Sequence, residues 1–247
     1  MTGKENLFLQ CEKNIAFYTR HLDGLRKNIA FQEKAKKLLM GHDPKVDISE
    51  FSEMEKLNDY NGYLAISTLD LSVNLKNLIL AKTDWEKIFF IKNSYLIIHE
   101  TLQKLKPSDS KNDIEDTIKN NYPSLTEDLA KLMEEIEEYR IKPYYIKIIK
   151  TRHNTAGHIN KSLKIYYDTI LDLDGEMAGQ HIKEFLNVTT KALHITADYA
   201  VLANKVQKKK SNDLQSRFNS MVQKVQNKDL QSRLLTMLEK LQSMAGI

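Results

Sequence analysis

One cysteine, four prolines and eight glycines are spread over 247 residues. So little Gly and Pro excludes collagen-like and low-complexity chains, and argues against a loop-rich all-β protein. The lone Cys11 excludes a disulfide framework and a Cys-based zinc site, and it suits a reducing compartment. Apolar runs such as 95–98 and 144–146 are far short of the ~20 residues that a bilayer helix needs. No charged, apolar, small-residue leader opens the chain, so the expected location is cytoplasmic and no membrane association is expected. Arginine is scarce as well. Of 37 basic residues 6 are Arg and the rest Lys. The net charge of +4 is modest and, with both signs interspersed, does not by itself imply a nucleic-acid partner.

What remains is rich in Leu, Ile, Lys, Glu, Asn and Gln, with apolar residues spaced three and four apart and no sustained alternation. The pattern predicts an all-α protein, a bundle of five to six long helices with a C-terminal helical extension. The expected helices cover 4–40, 48–81, 83–105, 124–141, 143–171 and 175–209, and 108–123 form a loop around a short helix. Pro44 ends the first helix. Asn61-Gly62 is a possible interruption of the second. Asp47 with Glu50, Thr83 with Glu86, and Ser124 with Glu127 all have capping-box spacing. Pro143 fits the first turn of the fifth helix, and Asp174 caps the sixth. The third helix, with Trp85, Phe89, Phe90, Tyr95, Ile97 and Ile98, is the most apolar and is expected to be central. We take 1–209 as one domain and 210–247 as an appended extension. In that extension Asp213-Leu214-Gln215-Ser216-Arg217 recurs 16 residues later as Asp229-Leu230-Gln231-Ser232-Arg233. It reads as a duplicated terminal helix, or as one that binds a protein partner.

Common chemical motifs are missing. There is no Gly-rich phosphate loop and no nucleophile elbow. The stretch from Asp172 lacks the Glu that closes a calcium loop, since Lys183 stands at its twelfth position. No Glu-x-x-His pair suggests a di-iron centre, and His99-Glu100 lacks the second His of a zinc helix. No metal and no cofactor are expected.

One segment breaks the pattern: Thr151-Arg152-His153-Asn154-Thr155-Ala156-Gly157-His158. On a continuous helix Arg152 falls at the centre of a face carrying Tyr145, Ile148, Ile149, Ile159 and Leu163. A guanidinium there needs a partner or a polar cavity. Asn154, Thr155 and His158 share a polar stripe beside it. Guanidinium suits phosphate oxygens and imidazole suits proton transfer near neutral pH.

The segment resembles the HEPN superfamily, all-helical domains whose RNases carry Arg, a polar residue, three to five further positions and then His. Arg152, His153, the spacer 154–157 and His158 match, and the HEPN-like part spans 143–205. The resemblance implies a homodimer with a composite cleft and metal-independent cleavage of RNA, in a toxin or phage-defence setting. Arg152, His158 and His153 are then the catalytic group, with Asn154 and Thr155 as substrate contacts. The plainer alternative is a non-enzymatic helical scaffold in which Arg152 pairs with a Glu of a neighbouring helix. His99-Glu100 on the third helix would act, if at all, in support of that site.

Overall fold

A computed structural model describes residues 3–42, 49–105, 114–157 and 162–223, together with 228, 232 and 236. Among them there are eight α-helices and no strand. They are α1 (Gly3–His42), α2 (Ser49–Leu80), α3 (Asp84–Lys104), α4 (Ile114–Asn121), α5 (Thr126–Ile141), α6 (Pro143–Thr151), α7 (Leu163–Leu171) and α8 (Gly175–Gln223). Five are long, as the periodicity predicts. The extra ones are the short α4 and a division of the expected fifth helix into α6 and α7. The chain divides into two compact units, Met1–Tyr199 and Ala200–Ile247.

The seam of the first unit is visible in the spacing of buried residues. In α2 these are Leu57, Asn61, Leu64, Thr68, Leu71, Leu75 and Leu78; in α8 they are Ala178, Ile182, Phe185, Thr189, Ala192, Thr196 and Tyr199. Both rows alternate steps of four and three, the heptad spacing that keeps one stripe facing a partner helix. Two polar layers fix the antiparallel register. Asn61 Nδ2 donates to Thr196 Oγ1 at 3.3 Å, and the Thr68 and Thr189 hydroxyls are 3.0 Å apart. These layers are one heptad apart on each helix, so a slip of a single layer would set the α8 threonines against leucines of α2 and cost the Asn61 amide its Thr196 partner. α1 packs along α2, α2 along α3, and α3 against α6.

Local rules explain most boundaries. Thr83 caps α3: its side chain accepts from Glu86 N, and Glu86 Oε2 accepts from the Thr83 and Lys82 amides at 2.8 and 2.7 Å. Thr83→Ala removes one half of this box and is expected to lower stability by about 1 kcal/mol in urea unfolding. An unchanged midpoint would show that tertiary packing alone holds the start of α3. Asp174 accepts from Met177 N at 2.7 Å and so caps α8 as expected. Asp47 lies outside the described residues.

Three expectations are corrected. α2 runs unbroken through Asn61-Gly62; a Cβ on Gly62 would come within 3.2 Å of Leu25 Cδ2, so the glycine serves the close approach of α1. Ser124 does not cap α5. Pro123 starts a 3-10 turn (Pro123–Leu125), which puts Leu125 at the cap position. The fifth helix also breaks. α6 ends in a π-helical turn (Arg152–Ala156), and α7 begins afresh behind Ser162, whose side chain accepts from Ile165 N.

In the second unit α8 runs on to Gln223, so the first copy of the repeat is helical. Of the second copy only Ser232 is among the described residues, and its backbone is helical. No helix among the described residues is long and apolar enough to cross a membrane. Cys11 is buried against this packing, which pushes its thiol up to about 11 and keeps it protonated.

Candidate functional site

Two threonine back-bonds accompany the π-turn. Thr151 and Thr155 each turn the side-chain hydroxyl back to the carbonyl four residues earlier, on Lys147 and Thr151, at 2.8 Å. Such back-bonds loosen and bend a helix. Gly157 N then reaches past its usual acceptor to Arg152 O at 2.9 Å. A Cβ at Gly157 would sit 3.2 Å from that oxygen and 3.8 Å from the Arg152 guanidinium carbon. Gly157 thus leaves room for both the wide turn and the side chain it carries.

The turn presents Arg152 toward α3. Its Nε and Nη2 donate to Glu100 Oε1 at 3.1 and 2.9 Å, and Nη1 lies 3.3 Å from His153 Nδ1. A guanidinium has only donors, so His153 Nδ1 is assigned as the acceptor and the ring proton as sitting on Nε2. His153 itself is exposed. Its ring stands 6.0 Å from that of His99, which stacks over Tyr145 at 6.4 Å. The Arg152 side chain is 28% exposed. It is therefore paired at the edge of the core, which is the neighbouring-Glu alternative, and remains partly exposed to solvent.

The other expected site residues are divided. Asn154 is half-buried and donates to Thr169 Oγ1 at 3.1 Å, tying the π-turn to α7. Thr155 is 3% exposed, with its hydroxyl bonded to the backbone. Its hydroxyl, expected to contact substrate, is engaged within the turn. His158 lies outside the described residues. Glu100 emerges as the direct partner of Arg152, closer to the site than the sequence placed it. The signal was a His-Glu dipeptide on the otherwise most apolar helix.

A second polar cluster is internal. The Tyr144 ring stacks on His181 at 3.8 Å between centroids, and Tyr95 Oη lies 2.9 Å from His181 Nδ1. Tyr139 donates to the His181 carbonyl at 3.1 Å, and Lys142 and Tyr144 both donate to Glu184. Burial holds the His181 imidazole below its ordinary 6.5; Lys147 and Lys142 act the same way and Glu184 opposes them. The unfolded chain therefore takes up this proton more readily than the folded one. The stability due to neutral His181 is full above pH 6.5 and is lost as the pH falls below it. Urea midpoints measured between about pH 7.5 and about pH 5 should fall less steeply for His181→Asn than for the wild type. Equal slopes would remove His181 from the account.

Among the described residues no group of three or more His, Cys, Asp or Glu is placed to hold a metal ion. No family model, curated protein or solved structure matches the chain.

Proposed function

We propose that the protein is an HEPN-like, metal-independent endoribonuclease that works as a homodimer, with Arg152, His153 and His158 as its catalytic group. The observation that supports this reading is a partly exposed Arg152 guanidinium set beside an exposed imidazole on a π-turn. π-turns are frequent at functional sites. In this scheme the guanidinium holds the scissile phosphate, which competes with Glu100 for its N–H groups. A base removes the proton of the ribose 2′-hydroxyl as that oxygen attacks phosphorus. The leaving 5′-oxygen takes a proton from an acid, so a cyclic phosphate and a free 5′-hydroxyl result. His158 supplies the proton transfers, and His153 orients Arg152 and donates from Nε2 to the phosphate.

The test is purified protein with mixed RNA in EDTA, alongside His158→Ala and Arg152→Ala. Wild-type cleavage lost in both variants supports the reading. No cleavage by the wild type, or cleavage that both variants retain, overturns it. One observation favours a second reading. Glu100 neutralises Arg152 within the chain, as expected of a non-enzymatic helical scaffold.

A further inference from the structure

Three aromatic rings stand open to solvent near the start of α3. Trp85 and Phe89, one turn apart, are both 56% exposed, and Tyr167 on α7 is 43% exposed. The Trp85 and Tyr167 rings meet edge to face at 6.5 Å, so these are a joined cluster and not scattered side chains. The cluster heads a row. Trp85, Phe89, Lys92, Leu96 and His99 follow one another at steps of four and three, and so share one face of α3. α7 and then the π-turn line that row. Tyr167 meets Trp85, Lys92 donates to Tyr166 Oη at 3.0 Å, and the His153 ring stands 6.0 Å from that of His99. The Asn154–Thr169 bond joins α7 to the π-turn. The row thus leads from the rings to the Arg152 cluster, and Trp85 to His99 spans about 21 Å at 1.5 Å per residue.

We propose that Trp85, Phe89 and Tyr167 form a stacking platform for unpaired bases, and that Lys92 holds the backbone of the strand between this platform and Arg152. The proposal rests on the ribonuclease reading for what lies at the far end of the row, and it narrows the substrate to single strands. Ring chemistry is the first argument. Every base has a flat π-face, and exposed aromatic rings are what single-strand binders offer to it. A paired base keeps its faces inside the duplex and cannot use the platform.

Charge is the second argument. The Lys92 ammonium lies 5.1 Å from the centre of the Tyr166 ring. It has three donors, so it can take a phosphate oxygen without leaving Tyr166. Lys164 is exposed one turn before Tyr167. Of the acidic neighbours, Asp84 is paired with Lys87 at 3.0 Å and Glu86 is turned into the α3 cap, while Asp168 stands one turn from Lys164. Length is the third argument. About 21 Å gives room for a few nucleotides, the short end of the roughly 4 to 16 that single-strand grooves hold.

Trp85 is the only tryptophan, so its emission reports on the platform directly. The probe is a short oligouridylate methylated at every ribose 2′-oxygen, which the proposed reaction cannot cut. It should quench Trp85 emission. Phe89→Ala and Tyr167→Ala should each raise its dissociation constant about tenfold, the worth of one stacked base. Lys92→Gln should weaken binding and reduce its salt dependence. The same strand annealed to its complement, or an abasic strand of equal length, should quench little. Circular dichroism checks that every variant remains folded. No quenching by the free strand, equal quenching by the duplex or the abasic strand, or a dissociation constant that the three substitutions leave unchanged overturns the proposal. So does an emission that shifts with protein concentration or with anionic vesicles and not with the strand, which assigns the face to a second copy or to lipid. Quenching should persist at saturation in Arg152→Ala, so the ribonuclease reading can fail in its own assay while this result stands.

Discussion

Phe185→Ala is expected to destabilise the first unit by about 4 kcal/mol, the largest stability effect of any single change considered. The ring is wholly buried in the heptad row of α8, and it lies 5.2 Å from the Tyr139 ring on α5. Its removal loses the transfer free energy of a benzyl group and leaves a hole between helices that cannot close on it. α8 is held on one side by the Asn61–Thr196 and Thr68–Thr189 layers and on another by Tyr144, Lys142 and Glu184. Collapse onto the cavity would pull these pairs out of register. For a unit of about 200 residues the thermal midpoint should fall by roughly 10 °C. A loss under about 1 kcal/mol, the range of ordinary surface changes, would mean that Phe185 is not in the core.

Arg152→Ala should reduce RNA cleavage by about a hundredfold or more while leaving the fold in place. The argument turns on geometry. The side chain reaches Glu100 with two N–H groups and faces His153 with a third, and it is partly open to solvent. Losing an exposed ion pair costs little stability, about 1 kcal/mol or less. In the proposed scheme, losing the fork removes the planar donor that would hold the phosphate. Arg152→Lys separates charge from shape: a lysine keeps the positive charge but not the paired donors. If the fork matters, Lys should recover only a small part of the lost rate. If Lys restores full cleavage, Arg152 acts as a point charge. If neither variant changes the rate, cleavage lies elsewhere.

The fold class was legible because helix periodicity is a local property. The Thr83–Glu86 box and the Asp174 cap could be read from four-residue windows, since both ends of each interaction lie on one turn. What failed was any step that assumed a straight helix. Placing Arg152 on one apolar face with Ile159 and Leu163 required an unbroken helix from Pro143. The chain instead widens at Thr151 and Thr155 and restarts at Ser162. Neither threonine announces a π-turn, because the same back-bond occurs in ordinary helices, as at Thr68 and Leu64. Glu100 was equally hidden as the partner of Arg152. They are 52 positions apart in the chain, and only the packing of α3 on α6 brings them together. Asn61-Gly62 misled for a related reason. Gly can break a helix or admit a neighbour, and only Leu25 decides between the two.

The π-turn also bears on how such a cluster can arise. An i+5 turn holds one residue more than the α-turn it replaces, so it can be entered or left by a single-codon insertion or deletion without remaking a loop. The helices on either side keep their partners, and the extra residue is taken up locally. Here the wide turn closes α6, so Arg152 stands on the last turn of a helix and a change of one residue in length there would move its side chain relative to Glu100.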